Sequence, residues 1–389
     1  MSRKFFIIAG EPSGDRLGAS LMSGLQQLED VSFDGIGGPM MAAAGLQSRF
    51  PMAELSIMGL VEILPKIPKL LRRIRETAQA VVKAKPDALI TIDSPDFTLR
   101  VAQKARELLP DLKVIHYVAP SVWAWRPERA EKMARHVDHV LALLPFEPPY
   151  MEAAGMSCDF VSHPVIAEPT PSPQEGRALR KELNIAAKAD IITLLPGSRK
   201  SEITRMFPIY LDAARGISAK LPMTHFCVAV APSVAKEVAA QAQAADIPLT
   251  LLMPHSESAE TEARKRMLYR ESALAIATSG TVALELAAQN CPMVIAYKAN
   301  WATTRMVKKM AQIDTANLIN ILTNTRVVPE FLFENATAEN IEKAALDILI
   351  GRDTAQKTAL RQAMHALGKG KKEAHLWVAR SVLRFLETR

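Results

Sequence analysis

Two short segments in the second half of the chain combine glycine, hydroxyl and charged residues where an apolar run gives way to a helix-period segment. Ile191 to Leu195 leads into P-G-S-R-K-S-E, so Gly197, Ser198 and Arg199 precede a helix whose free N–H groups favour an anion, with Glu202 in the same motif. Arg199 can add a bidentate, charge-assisted contact. Leu274 to Ala277 similarly enters T-S-G-T-V-A-L-E, where Ser279, Gly280 and Thr281 open a helix and Glu285 lies one turn further on. Either loop alone is ordinary capping chemistry. Two in one domain read as a seat for a diphosphate with a carboxylate for a ribose.

In the first half, Ala88 to Ile92 ends in D-S-P-D-F, which puts Asp93 at a strand's carboxyl edge as a candidate general base for a sugar hydroxyl. Asp96, on the turn into the next helix, reads as an N-cap. Phe5 to Ala9 runs into G-E-P-S-G-D-R-L-G, where Gly10, Gly14 and Gly18 suggest a tight turn where open α/β sheets bind ligands. Glu11 and Asp15 bring negative charge there. That suits sugar hydroxyls or structural hydrogen bonds better than a pyrophosphate, and the alternative is a plain turn capped by Ser13. The segment H-Y-V-A-P-S-V-W-A-W-R-P-E-R, His116 to Arg129, gathers Ser121, Trp123, Trp125 and Arg126. Its rings and guanidinium groups suit a sugar face or a lipid surface, or the tryptophans are core anchors. His136 and His139 lack a third ligand and read as helix residues, and no metal-ligand cluster stands out.

The elements that must position these residues are those of an α/β protein. Short β-branched or aromatic runs alternate with helix-period segments, as in βα units on a parallel sheet. The grammar stops at A-E-P-T-P-S-P-Q-E-G, Ala167 to Gly176, which reads as a linker, and then restarts with strands Ile191 to Leu195 and Thr224 to Ala229 and a helix Ser201 to Ile217. The expectation is two tandem Rossmann-like domains facing across a cleft, 1–166 and 167–353, with helices in 354–389 crossing back to the first.

The 389 residues are about half apolar, without low-complexity tracts, and carry a formal charge of +7, which attracts phosphates of some kind. The three cysteines, Cys158, Cys227 and Cys291, form no C-x-x-C pair, which fits a reducing compartment. The first apolar run ends at Glu11, far short of a signal peptide's core, and no stretch approaches ~20 uninterrupted apolar residues. From Ile67, apolar positions at helical spacing alternate with Lys66, Lys69, Arg72, Arg73 and Arg75. This basic amphipathic helix suits either an ordinary surface or anionic lipid. No nucleic-acid module is recognisable.

Taken in order, G-E-P-S-G-D-R-L-G, I-M-G-L-V-E-I-L, I-D-S-P-D-F, H-Y-V-A-P-S-V-W-A-W-R, L-L-P-G-S-R-K-S-E-I and S-G-T-V-A-L-E resemble the lipid-A-disaccharide synthases over nearly the whole chain. The resemblance implies an inverting glycosyltransferase of GT-B-type architecture that joins UDP-2,3-diacylglucosamine to 2,3-diacylglucosamine 1-phosphate. It implies Asp93 as base, Arg199 at the diphosphate, Glu285 at the ribose and Glu11 near the reacting sugars. It also implies no metal or cofactor, a cytoplasmic enzyme at the inner-membrane surface, and a homodimer as the family's expectation. Asn320 matches a functional asparagine, although Ile319 stands where the family has proline. Glu330 is kept, but Phe333 replaces a glutamine and Ser162 a glycine. The rival readings are a UDP-sugar 2-epimerase and a non-catalytic binder.

Overall fold

The computed structural model describes residues 2–55, 67–255, 258–300, 304–305, 314–351 and 353–388. The I-M-G-L-V-E-I-L block and Lys66 lie outside them. The chain divides into two compact units, residues 1–164 with 367–389, and residues 165–366.

The first unit is built on a parallel sheet of β1 (Arg3–Ala9), β2 (Val31–Ile36), β3 (Ala88–Ile92), β4 (Val114–Tyr117), β5 (His139–Ala142) and β6 (Ser157–Phe160), in the order β2-β1-β3-β4-β5-β6. Every residue of β3, β4 and β5 is buried, as expected of strands covered on both faces. One face packs on helices Ile67–Ala84 and Pro95–Leu108, and the other on helices Pro12–Leu28 and Trp377–Glu387. The chain order reverses between β1 and β3. Ligands of open α/β sheets bind outside the carboxyl ends of strands at such a switch, which is where Glu11 and Asp93 follow their strands.

The second unit repeats the plan with β7 (Asp190–Leu195), β8 (Thr224–Ala229), β9 (Leu249–Leu252), β10 (Ser272–Thr278), β11 (Met293–Tyr297) and β12 (Glu330–Leu332), ordered β12-β11-β10-β7-β8-β9 and all parallel. Here the switch falls between β7 and β10. Register pairs Leu194 with Ile276 and Leu195 with Ala277, so the loops after these strands emerge side by side.

Several expectations are corrected. The stretch 167–176 is only partly a linker. Ser172 accepts from the Glu175 N–H and Glu175 accepts from the Ser172 N–H, a capping box that starts a helix at Pro173. Proline blocks a helix interior but is well suited to its first turn. The helix Thr354–Ala366 stays with the second unit, and only residues 367–389 belong to the first. There the Ser381 hydroxyl meets His139 Nε2 at 2.9 Å and donates to Asp159 at 2.6 Å, while Phe385 stacks on the His139 ring. His139 is thus a buried strand residue that fastens the tail, not a helix residue.

Candidate functional site

The second unit holds a cavity of about 780 Å³ outside the β7–β10 switch, a size suited to a nucleotide-like ligand. It is lined by both loops picked out in the sequence: Gly197, Ser198, Arg199 and Glu202 from one, Ser279, Gly280, Thr281 and Glu285 from the other. The two segments are far apart in sequence and meet only because β7 pairs with β10.

Arg199 ends the first loop and caps the helix Lys200–Lys220. Its side chain is 75% exposed, with Nη1 3.1 Å from Glu202. The Glu202 carboxylate also accepts from the N–H groups of Ser198 at 3.0 Å and Arg199 at 3.2 Å. A carboxylate therefore already occupies the helix N-terminus, and any diphosphate using those N–H groups competes with it. Gly197, at φ +116°, passes so close that a Cβ there would lie 2.5 Å from a Glu202 oxygen. Only glycine fits this turn.

The sequence reading missed the third wall. In the helix Ser258–Glu271, Thr261, Lys265 and Tyr269 are spaced four apart, share one face and line the cavity. Lys265 Nζ lies 3.1 Å from Glu262 and 3.6 Å from Glu285. Burial works to lower the lysine's pKa, but Glu285 and Glu262 outweigh it and hold the ammonium above the usual lysine range. The Tyr269 ring is 1% exposed, and its buried hydroxyl has no hydrogen-bond partner among the described residues. Spacing alone could have grouped these three, but nothing in a charged segment says which way it faces.

In the first unit, Asp93 and Ser121 line a smaller cavity of about 230 Å³ with His116, Val118 and Arg129. Asp93 and Ser94 both lie in the left-handed region, at φ 47° and 45°, pinned by the Asp93 N–H to Tyr117 carbonyl bond and by the Thr98 hydroxyl on the Asp93 carbonyl. Such strain collects at functional sites and needs over-determined surroundings. Burial pulls the His116 pKa down to about 4, so its ring is neutral near pH 7.

Other sequence candidates have structural jobs. Asp15 is buried, and its oxygens accept from the N–H groups of Gly38, Met40 and Met41, so it fastens the loop after β2. The helix Pro12–Leu28 is capped by the exposed Glu11, with Ser13 inside its first turn. Gly14 and Gly18 are buried helix residues rather than parts of the turn. Asp96 is an exposed first-turn residue, and the N-cap is Ser94. Asn320 is buried, with its amide donating to the Val328 carbonyl at 3.0 Å and accepting from the Val328 N–H at 3.1 Å. Glu330 accepts from the Thr315 hydroxyl and the Ala316 N–H, and burial raises its pKa. Neither lines the 780 Å³ cavity. Trp123 donates to the buried Glu147 at 3.3 Å, and the Arg126 guanidinium lies over the Trp125 ring.

On the helix Ile67–Ala84, the cations are partly spent. Lys69 and Arg73 pair with Glu54, Arg72 and Arg73 with Glu76, and the Arg73 guanidinium covers the Phe50 ring. Among the described residues, no helix is long and apolar enough to cross a membrane and no group of three His, Cys, Asp or Glu could hold a metal.

A family model described as lipid-A-disaccharide synthetase matches residues 5–381. The lipid-A-disaccharide synthase of Ruegeria pomeroyi is 53% identical over 382 residues, covering 98% of this chain and 94% of that protein. That of Rhodospirillum centenum is 40% identical over 389 residues, covering 99% and 95%. Among solved structures, the chain is similar to a putative UDP-N-acetylglucosamine 2-epimerase from Listeria monocytogenes, with a TM-score of 0.67 at 14% identity over 100% of this chain and 96% of that one. The UDP-GlcNAc 2-epimerase of Neisseria meningitidis gives 0.67 at 12% identity, over 100% of both chains. At such identities the likeness is one of fold, the GT-B-type pairing of two Rossmann-like units. With the family model running through both units and relatives matching almost end to end, the chain belongs to the lipid-A-disaccharide synthase family of glycosyltransferases.

Proposed function

We propose that this enzyme transfers 2,3-diacylglucosamine from UDP to 2,3-diacylglucosamine 1-phosphate, forming a β-1,6-linked disaccharide 1-phosphate and UDP. The observation that carries the reading is the 780 Å³ cavity, which gathers Arg199, Lys265 and Glu285 around two helix-initiating loops. In the reaction, Asp93 takes the proton from the acceptor's C6 hydroxyl as its oxygen attacks the donor's anomeric carbon. The bond from that carbon to the diphosphate oxygen breaks, the centre inverts, and UDP leaves with the electron pair. Arg199 and the N–H groups now held by Glu202 meet the charge that develops on the leaving group, so this reading calls for no metal.

The substrates carry acyl chains, and the proposed place of work is an anionic membrane surface at the cytoplasmic face of the inner membrane. The helix Ile67–Ala84 supports this with exposed Ile67, Leu71, Arg72 and Arg75.

The test supplies the diacylated UDP-glucosamine with and without the monosaccharide acceptor. Disaccharide and UDP are expected only when both are present. Acceptor-independent conversion to an epimer would replace this reading with the 2-epimerase one.

A further inference from the structure

The 230 Å³ cavity of the first unit contains a cation that the reading above does not use. Arg129 lines it together with Asp93, His116 and Ser121. Its side chain is half-buried, yet the guanidinium has no hydrogen-bond or ion-pair partner among the described residues. Other half-buried arginines of this unit hold a carboxylate, Arg73 that of Glu54 and Arg106 that of Asp138. Among the described residues no ion pair joins Arg129 to Asp93, although both line the cavity. With no protein anion beside it, the guanidinium is open to one from outside the chain.

The backbone around it is strained as well. Val118, which lines the cavity, has φ 85°, a true outlier for a β-branched residue, and Asp93 has φ 47°. The Val118 N–H bond to the Leu141 carbonyl holds that conformation. The pocket thus offers one carboxylate, one unpaired planar cation, a neutral imidazole and a hydroxyl. A monosaccharide carrying both a free hydroxyl and a phosphate matches that set, because a guanidinium fork suits phosphate bidentately.

We propose that Arg129 seats the phosphate monoester of the acceptor in the cavity where Asp93 meets its hydroxyl, an assignment that rests on the transferase reading above.

The experiment compares wild type, Arg129→Gln and Arg129→Lys on two acceptors, the 1-phosphate and the same diacylated sugar with a free C1 hydroxyl. Loss of the phosphate should lower wild-type kcat/KM by roughly 10- to 100-fold. Arg129→Gln should be equally poor on both acceptors with its donor KM unchanged, and Arg129→Lys should recover part of the preference. A glutamine variant that keeps the full preference for phosphate, or whose donor KM rises as much as its acceptor KM, overturns the assignment. The unchanged donor KM also reports that the variant is folded.

Titration with glucosamine 1-phosphate reads the pocket without turnover. Binding by wild type and not by Arg129→Gln, in an enzyme that forms no disaccharide, would sink the transferase reading while keeping an anion site at Arg129. Equal binding by both would remove the site itself.

Discussion

Lys265 Nζ lies 3.6 Å from a Glu285 oxygen and 3.1 Å from Glu262, so one ammonium holds two carboxylates in the wall of the nucleotide-sized cavity. Removing it leaves like charges unbalanced in a partly desolvated site. Lys265→Met is expected to weaken UDP binding about 10-fold or more in a calorimetric titration. Unchanged affinity would place Lys265 outside the nucleotide's reach.

Asp93→Asn should keep the strained turn after β3, since asparagine enters the left-handed region as readily as aspartate. It cannot accept the hydroxyl proton. The expected result is a fall of at least ~100-fold in kcat with KM values largely kept. Turnover near that of wild type would send the search for the base elsewhere, with Glu11 next.

Glu147 is 4% exposed, and burial raises its pKa from the usual 4.5 to about 7, although it accepts from the Leu144 N–H and Trp123 Nε1. Between pH 4.5 and 7 the folded protein keeps the proton that the unfolded chain has lost. Stability therefore falls as pH rises through this window, by roughly 3 kcal/mol in all, and stays flat above it. Glu147→Gln should flatten this limb in denaturant titrations from pH 5 to 8. A wild type whose stability rises across the same range would contradict the assignment.

Ser162 lies at φ 76°, with its buried hydroxyl donating to the Leu367 carbonyl at 2.9 Å. Strain and anchor oppose each other. Ser162→Ala keeps the strain and loses the bond, so it should cost about 1 kcal/mol in urea unfolding. Ser162→Gly loses both and should fall within about 0.5 kcal/mol of wild type. If alanine were as stable as wild type, the hydroxyl would not be anchoring the tail.

For the membrane surface, changing Lys69, Arg72 and Arg73 to serine should reduce sedimentation with anionic vesicles, by about 1 kcal/mol per cation that faces the lipid. All three already pair with Glu54 or Glu76, and Arg72 is the most exposed of them, so most of the loss should come from Arg72. Vesicle binding that survives the triple change would remove this helix from the lipid contact.

Much of this protein is legible in its sequence because the informative signals are local. Buried parallel strands are short apolar runs, so β3 and β4 match their expected bounds and β7 differs by one residue. Helix-opening loops carry glycine and hydroxyl residues in place, which is why Gly197 to Arg199 and Ser279 to Thr281 could be named before their meeting was known. What local pattern leaves open is which group a side chain faces. Asp15 and Asn320 look like site residues by type and motif, yet their polar atoms are taken up by neighbouring backbone. Lys265 and Tyr269 sit in a charged segment with no motif, and they enter the cavity only because their helix runs into β10 beside β7. Sequence determined the strands, the loops and the family; strand order decided which loops share a cavity and which polar atoms are left for a ligand, because parallel pairing joins segments that no local periodicity connects.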